Sequence, residues 1–290
     1  MLNLHERGRS NDTNTSEKYR FFDFVQKPIE MYIFLDPLCS DCWSLDPYLK
    51  KFSLEYGRFF TTRQIISNHL SIVNHKNTDD PFTTNNNHDE NETVTEKLDK
   101  YANIYIHSIS MAIKAAELQG KNAGRVFFRK IQEKFFIQKR DVSNVSTLLH
   151  CALEANLDID EFVNDLNSVS AQKASQCDLK ITKEMKVHHA PTIVFFNQQI
   201  EEDGVKISGI NAYDIYVLIL TDMLQMKPIP AKKPDLEDYV AKYQVVSDKE
   251  IAIVYDLTIE EAKRELGKLQ LKRKVKKEII HDEVFWKYNV

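Results

Sequence analysis

Hydrophobic positions along the chain change spacing several times, and each change predicts an element. Met31 to Leu35 is an unbroken apolar run of the kind a buried strand shows, and Asp36-Pro37 ends it because proline has no N–H to continue a ladder. From Trp43, Leu45, Leu49, Phe52 and Tyr56 recur at helical spacing and stop at Gly57. Arg58 to Asn68 alternates, with Phe60, Thr62, Gln64 and Ile66 on one face, and predicts a second strand. A helical stripe then runs from Glu96 to Gly120 through Leu98, Tyr101, Tyr105, Ile109, Ala112 and Ala116. Further helices are predicted from Asn122 to Phe136 (Val126, Phe127, Ile131 and Phe135 inward) and from Ser143 or Ser146 (Val145, Leu148, Leu149 and Ala152). Two more follow, at Asp160 (Phe162, Val163, Leu166) and from about Ser170 to Met185. Ile193 to Phe196 pairs as a hairpin with Val205 to Ser208 across Asp203-Gly204. A helix from about Ala212 to Leu224, carrying Ile215, Leu218, Ile219 and Met223, closes this part.

The last 64 residues have another texture. Three prolines within 227–234 mark a semi-rigid spacer and a boundary between domains 29–226 and 235–290. Beyond it, Leu236 to Tyr243 is helical, Ser247 and Thr258 each open a helix with a glutamate three residues on, and Val275 to Tyr288 predicts a hairpin around His281-Asp282. Three helices and a hairpin give a small winged-helix-like domain. Its basic residues, among them Lys263, Arg264, Lys268, Lys272 and Arg273, suit DNA, a protein partner or a solvated face. Interspersed Glu260, Glu261, Glu265 and Glu278, with no base-reading set, favour protein contact over nucleic acid.

Composition narrows the class. At 290 residues and net charge -4, the chain has material for a sizeable core and no overall basic excess. Residues 1–28 are polar and predict a disordered N-terminus without a signal sequence, and the Asn- and Asp-rich stretch 74–92, holding His75 and His88, predicts a mobile loop. No run approaches the roughly 20 apolar residues of a membrane span, so a cytoplasmic protein is expected.

Chemistry concentrates at Cys39 and Cys42. A CxxC between a buried strand and a helix places the second thiol in the first helical turn and the first thiol just before it, where the helix dipole favours a thiolate. Redox candidates are therefore Cys39 and Cys42, with Pro191 as a candidate cis proline opposite them; an ordinary trans proline at a strand entry is the alternative. Two other uses of the cysteines stay open: chance spacing, or zinc held with His188 or His189. Cys151 and Cys177, inside helical patterns, read as small hydrophobes. Asp41, between the two thiols, is expected to oppose ionisation.

The order strand, CxxC, helix, strand, helices, Pro191, hairpin, helix resembles the DsbA-like branch of the thioredoxin superfamily, an α/β thioredoxin-like fold with a helical insertion at about 96–186. Pro47, five residues after Cys42, matches the proline that kinks the active-site helix there. More specifically, FLDPLCSDCWSLDPYLKKF (Phe34 to Phe52), KAAELQG (Lys114 to Gly120), QKRDVSN (Gln138 to Asn144), APTIVFF (Ala190 to Phe196) and FWK (Phe285 to Lys287) resemble the YjbH (SpxH) family. The resemblance runs from about residue 29 to the end. It implies an adapter that binds the transcription factor Spx and delivers it to the ATP-dependent protease ClpXP, catalysing nothing itself and requiring no cofactor. The family's association with zinc involves a histidine-rich N-terminus, and this chain has only His5 among its first residues. A thiol-disulfide oxidoreductase is the rival function, with Cys39 attacking and Cys42 resolving.

Overall fold

The computed structural model describes residues 27–67, 109–199, 204–281 and 283–289. The expectations for the N-terminus up to residue 26, the loop 74–92 and the start of the Glu96 helix lie outside them. Strand β1 (Ile29–Leu35) leads through Asp36-Pro37 into α1 (Ser40–Tyr56), which returns to β2 (Phe60–Ile66) parallel to β1, Ile29 opposite Phe60 and Leu35 opposite Ile66. Helix α2 (109–118 as described) ends at Gly120, whose φ of 131° suits a residue without Cβ. Then come α3 (Lys121–Gln132), a π-helical turn (Glu133–Ile137), α4 (Val145–Glu154), α5 (Ile159–Asp165) and α6 (Val169–Glu184). β3 (Thr192–Asn197) pairs antiparallel with β1, and β4 (Val205–Ser208) with β3, giving the sheet order β2-β1-β3-β4. α7 (Tyr213–Leu224) follows.

Both faces of this sheet are covered, which is why β1 is an apolar run and not an alternating one. One face carries the main core, in which Ile29, Leu45, Phe52, Phe127, Phe162, Phe195 and Leu220 are at most 1 % exposed. The other packs Phe34, Ile65, Val187 and Val194 against Ile181 and Met185 near the end of α6. Several predicted core positions face outward instead: Val126, Val145, Val163, Ile215 and Leu218 are exposed, and α7 buries Tyr216, Leu220 and Leu224. That helix is apolar on most of its surface, so spacing alone did not select its inner face. The α4 cap is Asn144, whose side chain accepts from Ser146 N at 2.9 Å; neither serine has that role.

The C-terminal segment folds as α8 (Leu236–Tyr243), β5 (Val245–Ser247), α9 (Asp248–Tyr255), α10 (Ile259–Leu271), β6 (Val275–Ile280) and β7 (Glu283–Tyr288). The three strands form an antiparallel sheet in the order β5-β7-β6, and three residues made β5 too short to show in the sequence pattern. Thr258 and Glu261 form a reciprocal capping box at α10, and Trp286 Nε1 donates to Asp248 Oδ1 at 2.6 Å. Much of the basic character is answered locally: Lys263 pairs with Glu260, Lys268 with Glu265, Lys274 with Glu237 and Lys276 with Glu278.

This segment sits on α1. Lys50, Lys51 and Glu55, polar positions on the helix face away from the apolar stripe, are 9, 7 and 7 % exposed. Lys50 Nζ binds Glu250 Oε1 of α9 at 2.8 Å and lies 4.3 Å from the centre of the Tyr243 ring, while Lys51 pairs with Asp256. The Pro-rich stretch 227–234 has no helix or strand, yet it is pinned: Ala231 N donates to Glu55 O at 2.8 Å and Lys233 Nζ pairs with Glu55 at 2.9 Å. The expected spacer is thus part of the packing between the two folded parts.

Candidate functional site

Cys39 is the N-cap of α1 and Cys42 ends its first turn, an arrangement forced by the Asp36-Pro37 break and the helix that begins at Ser40. Cys39 Sγ accepts the Cys42 amide at 3.4 Å and donates to Ala190 O at 3.5 Å. Cys39 is half-buried, whereas Cys42 is 2 % exposed and its Sγ accepts the Asp36 amide at 3.4 Å. The Ala190-Pro191 peptide is cis, and Thr192 Oγ1, buried just beyond it, donates to His189 O at 2.7 Å. Folding thus brings Cys39, Cys42 and the Ala190-Pro191 turn together across 151 residues of sequence.

The two thiols are electrostatically unequal. A hydrogen bond from Cys42, helped by the Cys42 and Asp41 amides of the helix start and opposed by burial, brings Cys39 down to about 7. Burial, and then the hydrogen bond to Cys39, pushes Cys42 far up. The acid that opposes the Cys39 thiolate is Asp36, not Asp41: Asp36 is 1 % exposed and its Oδ1 accepts the Leu38 amide at 2.8 Å, while Asp41 faces solvent in the first turn and contributes its amide to the thiolate. Asp36 escaped notice because it lies outside the CxxC, although its place between a buried strand and proline was a signal.

An expected result follows for native protein alkylated across a pH series. Cys39 should react with a midpoint near pH 7, and Cys42 should stay unmodified until the chain unfolds. A Cys39 midpoint at the ordinary thiol value near 9 would mean that neither the Cys42 hydrogen bond nor the helix-start amides stabilise the thiolate. With the native value below the unfolded one, the thiolate's contribution to stability is fully present above about pH 9 and is lost as pH falls through about 7.

His188 and His189 are exposed, and among the described residues no three His, Cys, Asp or Glu side chains gather as a metal site. Cys39, Cys42, His188 and His189 do not form such a group in the described structure. Cys151 is fully buried, with burial pushing its thiol up to about 12, but Cys177 is exposed, contrary to its reading as a small hydrophobe. It lines a cleft of about 1060 Å³ beside β2, with Arg63, Lys114, Glu117 and Asp178, which includes neither Cys39 nor Cys42.

Comparison with known proteins places this geometry. A thioredoxin family model matches residues 32–218. The ClpXP adapter protein SpxH of Bacillus subtilis (strain 168) is 41% identical over 280 residues, covering 90% of each chain. The chain belongs to the SpxH family. A second SpxH, from Shouchella clausii, is 42% identical over 270 residues, covering 91% of this chain and 90% of its own. Matches of that length extend past the thioredoxin region, so kinship with SpxH includes residues of the C-terminal segment. Among solved structures, a putative protein disulfide isomerase from Nitrosomonas europaea aligns with a TM-score of 0.48 and 17% identity, over 68% of this chain and 96% of that one. In this SpxH-family chain the thioredoxin-like fold keeps the cysteine pair at the N-terminal end of α1, and the second half of that helix is occupied by contacts with its own C-terminal segment.

Proposed function

We propose that this protein is a cytoplasmic adapter, not an enzyme, that binds the transcription factor Spx and promotes its degradation by the ATP-dependent protease ClpXP, without a required cofactor. The observation that carries this is identity of about 40% over nine-tenths of the chain to proteins named ClpXP adapter protein SpxH. No helix among the described residues is long and apolar enough to cross a membrane. Client contact is assigned to the thioredoxin-like part, at the groove between the cysteine pair and Pro191 or on the inserted helices, with the C-terminal segment adding protein contacts and not nucleic-acid ones. In a reconstituted assay with ATP, ClpXP should degrade Spx faster when the purified chain is added. Equal rates with and without it would overturn the adapter function.

A low-pKa, half-buried Cys39 over a buried Cys42 adds redox modulation to this function, and it also favours the second reading, a thiol-disulfide oxidoreductase. Cys39→Ser separates the two. The adapter keeps delivering Spx with that substitution, whereas an oxidoreductase loses all activity.

A further inference from the structure

The first turn of α1 is braced from the side by contacts that end in the C-terminal segment. Trp43, the residue after Cys42, donates its amide to Cys39 O at 3.1 Å and stacks on Phe136, ring centres 5.5 Å apart. The Arg129 guanidinium lies 3.9 Å from the centre of the Trp43 ring. The same guanidinium binds Asp46 at 2.8 Å and Glu133 at 3.3 Å, and it reaches Glu250 of α9 at 3.5 Å. Glu250 is 3 % exposed and also accepts from Lys50 Nζ and Tyr239 OH, both at 2.8 Å. Glu133 and Phe136 both belong to the π-helical turn, a rare local geometry that is frequent at functional sites.

Such a cluster tolerates few arrangements. A shielded guanidinium needs its carboxylates within hydrogen-bonding reach, because losing one leaves charge unpaired in a low dielectric. Its carboxylates here come from both folded parts, so neither part alone completes the set. Trp43 is where the set touches the cysteine turn.

We infer that closure of a Cys39–Cys42 disulfide is coupled to the seating of the C-terminal segment on α1, through Trp43 and Arg129. This rests on the redox modulation proposed above and extends it to the protein contacts assigned to the C-terminal segment. In the step itself, the two thiols reduce a low-molecular-weight disulfide to two thiols. Two electrons and two protons leave the protein, and one S–S bond forms as another breaks. Closure removes the thiol proton that Cys39 Sγ donates to Ala190 O and draws on the same turn that holds Trp43. Coupling is reciprocal: the factor by which closure changes the seating equilibrium is the factor by which seating changes closure, so loosening the C-terminal segment shifts the cysteine equilibrium by up to that factor.

The test equilibrates the full chain with graded glutathione and glutathione disulfide, quenches with acid and measures the Cys39–Cys42 disulfide by mass. Glu250→Gln, which keeps shape and removes charge, should shift the oxidation equilibrium by about fivefold, the lower end of ordinary coupling between sites. Arg129→Lys, which keeps charge and loses the planar stack, should shift it in the same direction. The unsubstituted chain supplies the reciprocal arm, since amide hydrogen exchange in α8 to α10 should differ between its oxidised and reduced forms. Equal equilibrium constants in all three proteins, or identical exchange in the two redox forms, overturns the coupling and leaves redox modulation standing. Failure of any disulfide to form across the buffer series overturns both, while the Spx degradation assay still judges the adapter function separately.

Discussion

Phe52→Ala should destabilise the thioredoxin-like part by about 4 kcal/mol, the range for deleting a fully buried aromatic ring. Phe52 is 1 % exposed and sits where the central helix meets the sheet and α7. Its ring stacks on Phe60 at 4.9 Å and meets Tyr56, Phe195, Tyr213 and Tyr216 within 6.5 Å. These neighbours come from α1, β2, β3 and α7, so no single movement refills the space. The denaturant midpoint should fall with the slope unchanged, and Phe52→Leu should recover more than half of the loss because it keeps most of the volume. A loss near 1 kcal/mol for Phe52→Ala would mean that the core closes over the gap and that the aromatic cluster is not its centre.

Lys50→Ala is expected to cost about 3 kcal/mol, the lower edge for breaking a buried ion pair, since Glu250 keeps Tyr239 and Arg129 as partners. Both members of the pair are shielded, with side chains 9 and 4 % exposed, and Asp46 shares Lys50 at 2.9 Å. Burial opposes the charge on Asp46, but Lys50 and Arg129 outweigh it and hold its carboxyl below the usual range. Added salt should leave most of this cost in place, because a shielded pair is weakly screened. A double-mutant cycle with Glu250→Gln should return a coupling of at least about 1 kcal/mol. A cost below about 0.5 kcal/mol that disappears in salt would instead place these charges with ordinary surface pairs.

What the sequence disclosed and what it concealed follow from the range of each signal. Strand, proline break, CxxC and helix are written within 28 residues, Ile29 to Tyr56, by local rules of periodicity and capping, and the structure forms them there. The cap at Thr258 and the hairpin β6–β7 were legible for the same reason. Lys50, Lys51 and Glu55 were not, because a lysine buried against a glutamate 200 residues away has the same local pattern as one in water. Phe136 reaches Trp43 from the π-helical turn, which ordinary helical spacing does not encode, and Arg129 meets the same ring from α3, a long-range contact that leaves no local pattern. Asp41 drew attention by adjacency, although in a helix's first turn the backbone matters more to the neighbouring sulfur than that side chain does. Asp36, turned inward, is the acid that counts.

The pinned connection between Leu224 and Leu236 bears on competition. A short tether anchored midway by Ala231 and Lys233 keeps the C-terminal segment beside its seat, so re-docking after release is intramolecular, with an effective concentration on the order of millimolar. An outside protein that seeks the same helix face must outbid that local supply. A partner that instead grips both parts where they meet takes the tether's ordering as already done, and its binding would tighten the junction it spans.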